Sequence, residues 1–219
     1  MKTSQKGFTL VEIAIVLVII GLLLGGILKG QEMITQAKIK NVIADMTGVS
    51  AAMYGYQDRY RALPGDDAKA DRWAAATKGD GDGIIEGKYL ATGAAESYHF
   101  WHHLRLAGFI AGTGPDQPFN AVSGRMGVQT GDGTINAPLP VLATVGPPVV
   151  PGISTLVLCT ANLPDKIAVS IDSQTDDGVG TTGSVRSMLQ ASPNPVDIAG
   201  AASVYAEDGV STYLICRQM

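Results

Sequence analysis

The strongest pattern along the chain is an uninterrupted apolar run at its start, FTLVEIAIVLVIIGLLLGGIL at 8–28, with a single carboxylate, Glu12, near its beginning. At about 1.5 Å rise per residue, a helix over this run is about 30 Å long, enough to cross the hydrocarbon of a bilayer. Beyond Lys29 the pattern becomes a stripe: Val42, Met46, Val49, Met53, Tyr56, Tyr60 and Leu63 alternate spacings of four and three, which is one helix face. The two patterns together predict one helix from about Phe8 to about Arg61, stopped by the turn signal LPGDD. Its first half is apolar all round, and its second half offers one face to the protein's own globular part. Gly21, Gly25, Gly26, Gly30, Gly48 and Gly55 interrupt it, each costing up to about 1 kcal/mol against alanine.

Past Pro64 the periods shorten. DDAKADRWAAATK at 66–78 reads as a short helix, and AAESYHFWHHLRLAGFI at 94–110 contains a longer one with an apolar side at Tyr98, Trp101 and Leu104–Leu106. Residues 111–152 are rich in Gly, Pro, Thr and Asn without sustained periodicity, which predicts a long surface excursion with a short hairpin around Arg125 to Ile135. The stretch 138–152, PLPVLATVGPPVVPG, reads as extended edge-type structure. ISTLVLCTA at 153–161 reads as a buried strand, and 163–186 as a helix followed by a turn. The final ASVYAEDGVSTYLICRQM predicts two strands around EDG, the last lying at or near a sheet edge. The class is α+β: a long N-terminal helix, packed by its second half on a small antiparallel sheet with accessory helices.

Composition narrows the function. The chain has 219 residues, enough for one sizeable domain plus an accessory segment or for two small domains. Its 27 glycines and 11 prolines suit a loop-rich body. A formal charge of −4, with no concentrated basic patch after the first forty residues, gives no support for a nucleic-acid partner. No nucleophile motif, phosphate loop or acid–base pair is present, and no serine has a G-x-S-x-G context, so no enzyme is expected. Cys159 and Cys216 are the only cysteines; they allow one disulfide and no zinc-knuckle spacing.

Lys2 and Lys6 precede the apolar run and should hold that end in the cytoplasm, placing the rest of the chain outside. A secretory signal would have a shorter apolar core closed by a small-residue cleavage site, and no A-x-A-like site closes this run. A simple membrane anchor leaves Glu12 unexplained, because a carboxylate in hydrocarbon costs a few kcal/mol and marks function.

The stretch KGFTLVEIAIVLVIIGLLL closely resembles the N-terminal signature of type IV pilins and of the pseudopilins of type II secretion. The resemblance implies that a prepilin peptidase cuts between Gly7 and Phe8, that the new Phe8 amine is N-methylated, and that Glu12 helps dock the subunit into a filament. It divides the chain into a leader (1–7), a transmembrane and filament-core helix (8–30), a stem helix (31–63) and an α+β head (64–219). It implies as partners other copies of the chain, related minor pilins or pseudopilins, the peptidase, an inner-membrane assembly platform and membrane lipid. The chain would sit in a bacterial inner membrane with its head periplasmic, then in a surface pilus or a periplasmic pseudopilus. Many major pilins carry a proline about three turns into the stem; here Gly25, Gly26 and Lys29 occupy that region. Three functions stay open: pilus subunit, pseudopilin, and an anchored binding protein that never polymerises. Glu12 speaks against the last.

No cofactor is expected beyond a candidate Ca2+. KGDGDGIIEGKYL resembles half of a calcium loop, offering Asp80, Asp82 and Glu86, although Tyr89 stands where the closing glutamate should be and GDGDG also suits a metal-free turn. A second acidic group, Asp172, Asp176 and Asp177, reads first as a helix-end turn and second as an ion site. His99, His102 and His103 read as part of a packing helix. With the head outside the cytoplasm, Cys159 and Cys216 are expected to form a bridge.

Overall fold

The structure, a computed structural model, describes residues 7, 9–131, 142, 151–198 and 202–219. In chain order it comprises α1 (Leu10–Tyr60), one 3-10 turn (Ala70–Arg72), α2 (Glu96–Leu106), β1 (Met126–Thr130), β2 (Leu156–Pro164), α3 (Asp165–Thr175), β3 (Val185–Leu189) and β4 (Thr212–Gln218). The strands form one antiparallel sheet in the order β1-β2-β4-β3. The architecture is α+β, a long apolar N-terminal helix with a small antiparallel sheet, as the pattern predicts.

The chain divides into two compact units, 1–38 and 39–219. In the first, α1 is bare: no described residue is buried, and its leucines, isoleucines and valines from Leu10 to Leu28 are all exposed. In the second, α1 buries Val42, Met46, Val49, Met53 and Tyr56 of the expected stripe, together with Ile39 and Ala52, which the spacing did not mark; Tyr60 and Leu63 are only partly buried, and Leu63 lies past the helix end. The stripe packs with Phe100, Trp101 and Leu104 of α2, Ile167 and Ile171 of α3, and Val128, Leu158 and Ile215 of the sheet. Each such side chain removed from water contributes about 1.5–3 kcal/mol. Alternation along the strands sends Val157, Cys159, Leu214 and Cys216 to the opposite face, where they pack with Tyr89, Met188 and Ile198.

The helix ends have local causes. After α1, Arg61 turns left-handed at φ 56° while its N–H still donates to the Gln57 carbonyl at 2.8 Å. After α2, Gly108 at φ +79° lets Phe109 N–H reach the Leu104 carbonyl (2.9 Å) and its own N–H reach the Arg105 carbonyl (3.0 Å), a Schellman stop. Inside β2, Asn162 at φ 58° sits in a bulge between Thr160 and Leu163.

Several expectations are corrected. Residues 66–78 are no helix beyond the turn at Ala70–Arg72, because Asp66 and Asp67 are buried and spend their oxygens on other backbone and side-chain donors. Of the hairpin expected around Arg125 to Ile135, the first segment is β1, which pairs with the distant β2, and a short turn before it closes by a bridge between Phe119 and Arg125; residues 132–135 lie outside the described ones. The extended stretch at 138–152 also lies outside them, apart from Leu142, Pro151 and Gly152. Residues 202–211 form no strand; the last strand, β4, lies near the edge, one place in, because Val185–Leu189, which starts where the expected turn ends, is the strand outside it.

Candidate functional site

At the start of α1, Thr9 and Glu12 form a closed pair. Glu12 Oε2 accepts from the Thr9 backbone N–H and the Thr9 hydroxyl, both at 2.8 Å, and Thr9 Oγ1 accepts from the Glu12 N–H at 3.3 Å. The Thr9 carbonyl accepts from Ile13 N–H at 3.4 Å. This is a capping box: a threonine N-cap and a glutamate three residues on satisfy each other's orphan donors. TLVE is therefore also a helix-start signal, and it fixes where the carboxylate stands. Gly7 is exposed and Phe8 lies outside the described residues. Among the described residues, α1 is the one helix long and apolar enough to cross a membrane.

In the head, the acidic turn after Lys78 is organised by two buried carboxylates that precede and follow it. Asp66 Oδ1 accepts from Gly81 N–H (2.6 Å) and Oδ2 from Gly83 N–H (2.8 Å). Glu96 Oε1 accepts from Asp80 N–H (3.2 Å) and Oε2 from Glu86 N–H (3.1 Å). Gly81 and Gly83 take positive φ, +83° and +90°, which the turn requires. Asp66, Asp80 and Asp82 bring carboxylate oxygens within 4.8 Å of one another; Glu86 is outside this group, and Asp66, unread in the sequence, takes the third place. These three could hold a hard cation such as Ca2+, which prefers six to eight oxygens. Burial pushes the Glu96 carboxyl up to about 7 against the pull of its two amide donors, and the Asp66 and Asp80 charges add to the rise. Burial likewise raises Asp66.

The structure does bring Asp172, Asp176 and Asp177 together within the same 4.8 Å limit. Each also has a local structural task. Asp172, fully buried, accepts from the Tyr205 hydroxyl (2.7 Å) and Gly178 N–H (3.2 Å). Asp176 accepts from Val185 N–H (2.8 Å) and Asp177 from Val179 N–H (2.8 Å) and the Thr182 hydroxyl (2.6 Å). Gly183 is confined here, since a Cβ on it would come within 1.9 Å of Asp176 Oδ2. Burial raises Asp172, and the Thr182 hydrogen bond lowers Asp177.

Cys159 and Cys216 are bridged, directly opposite each other on β2 and β4. Among the histidines, His103 is fully buried: its Nδ1 accepts from Gly65 N–H (2.9 Å) and its Nε2 meets the Thr77 carbonyl at 2.7 Å, so the ring is neutral with its proton on Nε2. It pins the turn after α1 to α2 and joins no metal group among the described residues. A family model for the prokaryotic N-terminal methylation motif matches residues 2–28. No curated protein and no solved structure matches the chain.

Proposed function

We propose that this chain, which bears the prepilin-type signature of type IV pilins and pseudopilins, is a structural subunit of a type IV pilus. It is made as a membrane-anchored prepilin, cut between Gly7 and Phe8, methylated on the Phe8 amine and polymerised with other copies of itself or related minor subunits. The observation that carries this reading is the match over 2–28, which coincides with the bare apolar part of α1. A signature that points to a structural protein also accords with a head in which Asp66, Glu96, Asp172, Asp176 and Asp177 hold turns through their carboxylates.

The capping box adds a physical role for Glu12. Thr9 holds Oε2, and among the described residues Oε1 accepts nothing. The capping box thus fixes the carboxylate at one height in an apolar surface. Cleavage creates a positive amine, methylation preserves that charge, and amine and carboxylate attract strongly in low dielectric. The amine of an entering subunit pairing with Glu12 of a neighbour relieves the cost of the lone carboxylate and selects one axial register. Glu12→Ala should leave membrane insertion intact while filaments fail or exclude the variant; assembly equal to wild type at equal expression would refute the register role. Mass spectrometry of the mature N-terminus should find a methylated chain starting Phe-Thr-Leu-Val-Glu, and a start beyond Leu28 would overturn the whole reading.

The same signature serves pseudopilins, and the cation-capable group at Asp66, Asp80 and Asp82 leans towards that second reading. Deleting the gene separates the two. Loss of surface filaments with normal protein secretion supports the pilus, and a secretion defect in cells without surface filaments supports the pseudopilus.

A further inference from the structure

Between α1 and α2, within the second unit, lies a groove of about 340 Å³ that the filament reading does not use. Its floor is the α1 backbone at Gly48, flanked by Ala44 and Asp45; Trp101 and Phe109 wall it, and Phe119 stands at its rim. One heptad further along, Gly55 occupies nearly the same side of the helix, since α-helical positions drift only about 20° per heptad. There the molecule shows what such a notch accepts. The Phe109 ring lies so close to Gly55 that a Cβ there would come within 2.7 Å of Phe109 Cε1. At Gly48 the same Cβ would meet nothing within 4 Å. Gly48 is a second seat of the same kind without a ring in it.

A ring is available at the rim, yet it does not fill its own seat. Phe119 is 59% exposed. Its backbone is pinned by the bridge to Arg125 and by Met126 N–H donating to the Pro118 carbonyl at 2.9 Å. The Arg125 guanidinium lies over the ring, 5.0 Å from its centroid. Among the described residues Arg125 has no carboxylate partner and Asp45, beside Gly48, has no cationic one. The knob is thus an aromatic ring with a cation on it, and the seat is a glycine notch with an anion beside it.

We propose that a second copy of this chain docks on this face, Phe119 of each copy seating on Gly48 of the other while Arg125 meets the other copy's Asp45. Knob and seat share one face, so the two insertions are related by a two-fold axis and the contact closes on a pair. That distinguishes it from the propagating contacts of a filament, and it holds whether or not the chain polymerises. The patch is smaller than the roughly 1,000 Å² that a stable soluble interface needs. Two chains anchored in one membrane meet at a raised effective concentration, which lets a weak contact form.

The test uses the full-length chain in lipid nanodiscs or detergent micelles, with Phe119 replaced by p-benzoylphenylalanine, which keeps an aromatic knob and links to nearby C–H groups on irradiation. The expected product is a covalent dimer whose linkage maps to 44–49 of the other copy. Adding Gly48→Leu, which fills the seat from within, should cut the dimer yield at least about fivefold without lowering the unfolding temperature. Asp45→Arg should also reduce the yield, and Asp45→Arg with Arg125→Asp should restore it. Linkage only within one chain, linkage elsewhere on the second copy, or a yield indifferent to both Gly48→Leu and the charge exchange overturns the proposal. Filament formation is scored separately, so its loss or survival does not bear on the result.

Discussion

Glu96 and His103, seven residues apart on α2, titrate in opposite senses. Glu96 is protonated more readily folded than unfolded, with its carboxyl raised from 4.5 to about 7. Its stabilising contribution is therefore complete below about pH 4.5 and is lost as pH rises through about 7. Comparing thermal unfolding of wild type and Glu96→Gln between pH 5 and 8 should show the wild-type advantage shrinking as pH rises; a constant difference would show an ordinary carboxylate. His103 is lowered by burial, so its contribution is present above about pH 6.5 and declines as pH falls below it. Protonating Nδ1 turns the acceptor of the Gly65 N–H into a donor, and the pin is lost. Wild type should lose more stability than His103→Leu on going from pH 7 to pH 5; parallel losses would mean that this imidazole does not titrate in the fold's favour. At this scale the sequence displayed Asp80 and Asp82 as acids of a turn, whereas the T-x-x-E spacing of Thr9 and Glu12, a helix-start signal, went unread beside the apolar run. It could not display Asp66 or Glu96 as the turn's organisers, because a carboxylate accepting amides ten to seventeen residues away leaves no spacing signature.

Among the elements, the second half of α1 and the sheet are joined by more than apolar contact. Arg217 on β4 donates to the Met46 carbonyl (2.8 Å) and the Ser50 hydroxyl (2.7 Å), which itself donates to that carbonyl at 3.1 Å. Arg217→Ala removes both bonds and should lower unfolding stability by about 1–3 kcal/mol in chemical denaturation; an unchanged midpoint would assign the helix–sheet union to packing alone. The two glycines of the stem should separate cleanly as well. Gly48→Ala meets open space and should raise stability by up to about 1 kcal/mol, whereas Gly55→Ala drives a methyl into Phe109 and should lower it; the same sign at both would contradict the packing described. The stripe on α1 was legible because Val42, Met46, Val49, Met53 and Tyr56 repeat one period over about four turns; small Ala52 gave no such signal. β3 was not legible, because it spans only Val185–Leu189 and carries a buried arginine, Arg186, whose charge is met by the Leu142 and Pro151 carbonyls. Missing β3 is also why the pattern left β4 at or near an edge without deciding between the two: the near-edge place follows only once another segment is known to lie outside it.

For the molecule as a whole, the Cys159–Cys216 bridge has a position that its sequence spacing alone does not convey. It links β2 to β4, the two central strands, and both cysteines belong to the buried layer on the face away from α1. Among the described residues β3 reaches the sheet only through β4, so loosening β4 also releases β3. The bridge spans 57 positions of sequence, and closing a loop of that length restricts the unfolded chain by about 4 kcal/mol in the chain-entropy model. A gain of that size is a large fraction of the roughly 5–15 kcal/mol that separates a folded domain from its unfolded state. Such a bridge persists in an oxidising compartment, the setting expected for a head carried outside by the apolar helix. Purified protein, denatured without reductant, should therefore show no titratable thiol, and reductant should release the two that Cys159 and Cys216 supply. Reduction should also lower the denaturation midpoint by the equivalent of about 3–4 kcal/mol, with β3 and β4 amides losing hydrogen-exchange protection together. Two free thiols in the untreated protein would overturn the bridge; thiol release with an unchanged midpoint would show that the central strands are held by the buried layer alone.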